Sequence, residues 1–125
     1  MDRDSLLESI REVVRSLSTK IHEFTPPRPL TQWRFWADSF VYGETLDIVT
    51  VERARKTAWA EATTAADGSA RAASDPLCPL SLAAAECAEG VKQVIGGNEE
   101  GAREALARAR VFEFFVPVGA GQRRQ

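Results

Sequence analysis

The chain has 125 residues, with 16 Lys+Arg against 18 Asp+Glu, a formal net charge of −2, one His and two Cys. That balance argues against nucleic-acid or membrane-surface binding driven by bulk positive charge, and two cysteines do not make a disulfide framework. Nineteen residues are Ala, which favours helix but buries little area, so the composition predicts closely packed helices around a thin core completed by self-association or by a partner.

The first predicted element runs from about Ser5 to Glu23. Ser5 and Glu8 have the spacing of a capping box. Leu6, Ile10, Val13, Val14, Leu17 and Ile21 recur at helical spacing on one face. Arg11, Glu12, Arg15, Ser16 and Lys20 fill the other. Residues 25–30 hold three prolines in four residues and predict a stiff, extended connector. The body of the protein then spans 31–118. Five of the chain's ten aromatic residues fall within Thr31 to Tyr42. Trp33, Trp36, Ala37 and Phe40 match a helical stripe closed by Gly43, with Thr31 as its cap, while Phe35, Val41 and Tyr42 fall off the stripe.

Leu46 to Val51 is β-branched and leads into a helical stretch, which predicts one helix from about Leu46 to Ala66, ended near Asp67-Gly68. A short strand is the alternative for 46–51. Asp75-Pro76 resembles a cap followed by proline at a first helical position. A further helix is expected from about Leu80 to Ile95, with Leu80, Ala83, Ala84, Cys87, Val91, Val94 and Ile95 on one face. Gly96-Gly97 ends it and Asn98 can cap a last helix from Glu99 to at least Arg110, packed through Ala102, Ala105, Leu106 and Ala109. Val111 to Val118 reads as the buried end of that helix or as a strand, since Phe112, Phe114, Val116 and Val118 alternate. Residues 119–125 form a polar tail. The expected fold class is therefore mainly α, four to five helices in a single domain over 1–125 ending in an αα-hairpin, with a possible short two-stranded β element pairing 46–51 with 111–118. The stretch from Gly97 to Leu106 resembles the turn and helix start of tetratricopeptide-type hairpins over about 30 residues. It occurs once, and arrays of that type need about three copies for a continuous core.

The residues with chemical potential are few. His22 sits at the end of the first helix, where a helix-end role outweighs general-base catalysis. Cys78 and Cys87 with one His fall short of the four ligands of a structural zinc site. The pairs Glu8/Glu12, Glu86/Glu89 and Glu100/Glu104 lack the Glu-x-x-His motifs of a di-iron bundle and read as solvated helix faces. The glycines at 96, 97 and 101 lack the Lys-Ser/Thr of a phosphate loop. Arg53, Arg55, Lys56, Arg108, Arg110, Arg123 and Arg124 offer local positive charge, but Glu52, Glu61, Glu100 and Glu104 are interleaved with the helical ones as on an ion-paired surface, so no nucleic-acid partner is expected. No metal or cofactor is expected either.

What remains is an excess of aromatics over a thin core. Trp33, Arg34, Phe35 and Trp36 cannot all face one way on a single helix, so part of that surface should reach the periphery. Together with Phe112, Phe114 and Phe115 they make the candidate partner-binding patch. The expected function is a non-enzymatic interaction protein, an adaptor, accessory subunit or immunity-type partner that binds another protein or itself. The alternatives are a helical pocket for a small apolar ligand, with or without enzymatic chemistry, and less favourably a DNA-binding regulator. The N-terminus shows no secretory pattern and no apolar run reaches the length of a membrane span. The reading is thus a cytoplasmic protein with no membrane partner, and the 13 Arg against three Lys together with abundant Ala suit a high-GC bacterial coding sequence.

Overall fold

Capping side chains mark where the chain turns into helix, and two of them shift a helix start from where periodicity puts it, one earlier and one later. The computed structural model describes residues 2–21, 32–43, 47–65 and 77–116. These contain five helices: α1 (Arg3–Ile21), α2 (Gln32–Val41), α3 (Ile48–Ala65), α4 (Leu77–Ile95) and α5 (Glu99–Phe114). The protein is mainly α, and no strand occurs among the described residues. The expected connector at 25–30, the tail at 119–125, His22 and the turns at Thr31, Asp67-Gly68 and Asp75-Pro76 lie outside them.

α1 begins at Arg3, two residues before Ser5. Asp2 is the cap: its carboxylate accepts the Ser5 backbone N–H at 2.8 Å, a bond that holds the Asp2 carboxyl below its ordinary range. The Ser5–Glu8 capping box is therefore not the helix start, and Glu8 instead pairs with Arg11 at 3.0 Å. α3 starts in the same way. The Asp47 carboxylate accepts the Thr50 hydroxyl at 2.9 Å and the Val49 N–H at 3.3 Å. This cap draws the β-branched run Ile48 to Val51 into a first helical turn, where orphan N–H groups need such a partner.

The two-stranded β element is absent. Residues 48–51 and 111–114 are helical, while Leu46, Pro117 and Val118 lie outside the described residues. A helix already nucleated at Glu99 gains one hydrogen bond for each residue it adds, whereas an isolated two-stranded ribbon is marginal in water. α5 closes through shorter-range bonds, Phe115 N–H to the Phe112 carbonyl and Val116 N–H to that of Glu113, at 3.1 and 3.0 Å.

α4 is the central helix. α3 and α5 pack along its flanks, α1 crosses it as well, and α2 bridges α1 and α3. The core is built from Leu6, Ile10, Val14 and Leu17 of α1, Trp33 and Phe40 of α2, and Leu80 and Val91 of α4. Small residues fill most of the α3, α4 and α5 contacts. Gly90 permits the closest approach. A Cβ there would lie 3.0 Å from Ile10 Cδ1 and 3.6 Å from the Ala102 carbonyl oxygen, so the missing side chain lets Ile10 of α1 seat closely on α4, while the α5 contact would remain an ordinary one. The α4–α5 turn is a Schellman motif. Gly97 has φ +83°, its N–H reaches the Val94 carbonyl at 3.0 Å and the Asn98 N–H reaches that of Gln93 at 2.8 Å. Asn98 then caps α5 by accepting the Gly101 N–H at 2.9 Å. The expected αα-hairpin is thus present.

Candidate interaction surface

The two aromatic segments named by the sequence have opposite surroundings. In α2, Trp33 is fully buried. Its indole N–H donates to the Ser81 hydroxyl of α4 at 3.2 Å, so the one polar atom of the ring and the one buried polar side chain of that neighbourhood satisfy each other. Trp36 is buried too and stacks on Phe40, ring centroids 5.3 Å apart and planes 11° from parallel. Phe35 projects outward, 60% exposed, and Arg34 is half-buried. Of this group, Phe35 offers most of the accessible aromatic area.

Arg11 of α1 seals this cluster from above. Its Nε donates to the Phe40 carbonyl at 2.9 Å, and its guanidinium lies 4.6 Å from the centre of the Phe40 ring. The same carbonyl accepts the Gly43 N–H at 3.0 Å, at a left-handed φ of +82°. A cation thus meets the carbonyl end of α2, where the helix dipole favours it, and covers an aromatic face as well. Arg11 on the polar side of α1 thus docks α2, while Glu8, Glu12 and Arg15 of that helix stay exposed. Ser18 likewise donates to Asp38 of α2 at 2.8 Å.

At the end of α5 the pattern is inverted. The buried phase of this helix is set by Ala102, Ala105, Leu106 and Ala109. Residues 112, 113 and 116 continue it. Phe112 packs half-buried against the core and Val116 is buried. Between them in phase is Glu113, whose carboxylate accepts the Ser16 hydroxyl and the Lys20 ammonium, the latter at 3.3 Å. Phe114 and Phe115 fall on the outside, 83% and 64% exposed, with Val111 beside them. Their rings meet edge to face at 5.8 Å and 78°.

A shallow groove of about 240 Å³ runs over α4 between α3 and α5, lined by Arg55, Trp59, Ala85, Glu86, Glu89 and Arg108. Its charges are satisfied internally. Arg55 forks onto Glu52 at 2.6 and 3.1 Å and approaches Glu89 at 3.6 Å, Lys92 reaches Glu52 at 3.1 Å, and Arg108 pairs with Glu86 at 3.0 Å. The Arg55 hydrogen bonds, followed by that from Lys92, bring the Glu52 carboxyl down to about 2. Trp59, half exposed at the groove wall, was not singled out by periodicity, because a Trp among Ala residues in a helix carries no positional signal of its own.

The remaining candidates do not converge. Cys87 is buried, and burial pushes its thiol far above the ordinary range, which leaves it a small core side chain. Cys78 is half-buried and both thiols are free. Glu100 and Glu104 are exposed on α5, and Glu86 and Glu89 belong to the ion pairs above. No group of three His, Cys, Asp or Glu able to hold a metal forms among the described residues, and no helix among them is long and apolar enough to cross a membrane. Comparison with family models, with curated proteins and with solved structures returns no match to this chain.

Proposed function

We propose that the chain is a non-enzymatic interaction protein of the cytoplasm, an adaptor, accessory subunit or immunity-type partner, which docks another protein on the outer face at the end of α5. One observation carries this reading. Glu113 takes an inward position while Phe114 and Phe115 face out. Exposing two rings opposes the hydrophobic effect at both positions, while the half-buried Glu113 beside them is paired with Ser16 and Lys20. The bonds from Ser16 and Lys20 account for the inward acid, but two adjacent exposed rings gain nothing for the folded chain alone and suit a surface to be covered by a partner.

The test is a comparison of the wild type with Phe114→Ser/Phe115→Ser, purified as the full chain. Light scattering on a sizing column reads self-association. Parallel affinity capture from the native host reads other partners. The expected result is a complex formed by the wild type and lost by the variant, with the helical content of both unchanged. Equal masses and equal capture profiles would overturn the reading.

A second reading is favoured by one feature, the groove with Trp59 on its wall. A planar ligand stacked there would quench Trp59, and native mass spectrometry of the purified chain would detect it. Loss of that species in Trp59→Ala is the result that would move the assignment from docking to ligand binding.

A further inference from the structure

The outer face of α5 has a regular pattern that goes beyond the exposed rings. Ala107, Val111 and Phe114 are spaced by four and then three residues, and all three are exposed. That is the d–a–d spacing of a coiled-coil seam. In the same register Arg108 and Arg110 hold the e and g positions, one on each side of the apolar stripe. Arg110 is exposed and makes no ion pair among the described residues. Arg108 is half-exposed and touches Glu86 through Nε alone among the described residues. Phe115 closes the stripe at its C-terminal end. The face is therefore a short apolar seam, about 12 Å long at the rise of a helix, with a cation on each edge.

The flanking charge decides the occupant. A second copy offering the same face would set like charges together in either direction. A parallel pair brings Arg103, the preceding g residue and also exposed, against Arg108 of the other copy, and an antiparallel pair brings each arginine of the seam against itself. A helix with apolar a and d residues and acidic e and g residues matches both the stripe and its edges. We infer that the α5 face binds an amphipathic helix of another protein whose apolar stripe is bordered by Asp or Glu. This rests on the proposed docking role and names the chemistry of the partner.

The experiment uses two synthetic helices of about three heptads, both with Leu at a and d, one with Glu and the other with Lys at e and g. Binding to the full chain is followed by fluorescence anisotropy of a labelled peptide. The Glu helix is expected to bind at least about tenfold more tightly than the Lys helix, and to weaken as salt rises from about 0.05 M to about 0.5 M. Arg110→Glu, an exposed change that leaves the core untouched, is expected to narrow or reverse that preference. Val111→Glu is expected to abolish binding of the Glu helix. Equal binding of both helices, or none of either, overturns the inference. So does retention on phosphatidylserine vesicles without a preference for the Glu helix, which would make the face a membrane contact. Self-association lost in Val111→Glu would overturn it in favour of a second copy. If Phe114→Ser/Phe115→Ser still removes a complex while the Glu helix shows no preference, the docking role stands and this partner chemistry falls.

Discussion

α2 and the end of α5 are the two aromatic-rich helical segments of the molecule, and they part company over helical phase. In α2 the spacing 33, 36, 37, 40 coincides with the direction of α1 and α4, so the two indoles and Phe40 enter the core. In α5 the direction of the core is set about one to three turns earlier by alanines that fit tightly against α4. By the time the chain reaches Phe114 and Phe115, that rotation has carried them to the outside and has carried Glu113 in. The difference teaches that aromatic content does not fix burial. Register with an already packed stripe does, and a hydrophobic residue forced out of register becomes surface.

Trp33→Ala should be the most damaging change in the contrast. It opens a large cavity at a fully buried site and strips Ser81 of its partner. The expected loss is about 3–5 kcal/mol in urea unfolding followed by circular dichroism. A loss below about 1 kcal/mol would break the contrast by showing that the α2 ring is dispensable to the fold. Arg11→Met is the next in size. It keeps an apolar stem over Phe40 but removes the bond to the Phe40 carbonyl and the cation over the ring. About 1–2 kcal/mol of stability should go. A neutral result would mean that α2 docks through its apolar face alone.

Much of this was readable in the residues. The stripe of α1, the α2 stripe, the α4–α5 turn and the alanine face of α5 all appear where periodicity and glycine put them, because local spacing and tertiary packing agree there. Three things were not readable. Asp2 and Asp47 displace the expected starts because an N-cap is chosen by side-chain geometry that periodicity does not report. The role of Arg11, placed only on the polar face of the first helix, was hidden because its acceptor, the Phe40 carbonyl, lies 29 residues away in sequence. Grouping Trp33 and Trp36 with Phe112, Phe114 and Phe115 in one patch joined residues by composition. Placed in three dimensions, the indoles are core, Phe112 is half-buried, and Phe114 and Phe115 are open. The spacing of Ala107, Val111 and Phe114 between two arginines was the available signal for that open face, hidden while 111–118 could still be read as a strand.

Between these extremes lies the α3–α4 ion cluster, partly exposed and paired within itself. Glu52 has a carboxyl at about 2 in the folded protein against an ordinary 4.5. A lowered folded value contributes stability that is fully present above the unfolded value and is lost as pH falls through the folded one. Glu52→Gln should therefore cost about 1 kcal/mol near neutral pH, the modest size reflecting solvent screening of a site still open to water. The gap between variant and wild type should close as pH falls from about 4.5 toward about 2. A gap that stays constant over that window would assign the effect to packing instead of charge.

The smallest effect on stability belongs to the α5 end, and its smallness is the sharpest form of the comparison. Phe114 and Phe115 touch one another and face away from the core, so replacing both with Ser removes little buried area. Thermal unfolding should move by no more than about 0.5 kcal/mol in either direction. The helix should also survive, since its packing depends on the alanine face and on Glu113 held by Ser16 and Lys20. A loss of several kcal/mol would mean that the rings close against the protein in solution, which would make both aromatic segments core and remove the reason for assigning a partner to this one. A neutral result beside the large cost of Trp33→Ala would leave two exposed rings that folding does not require.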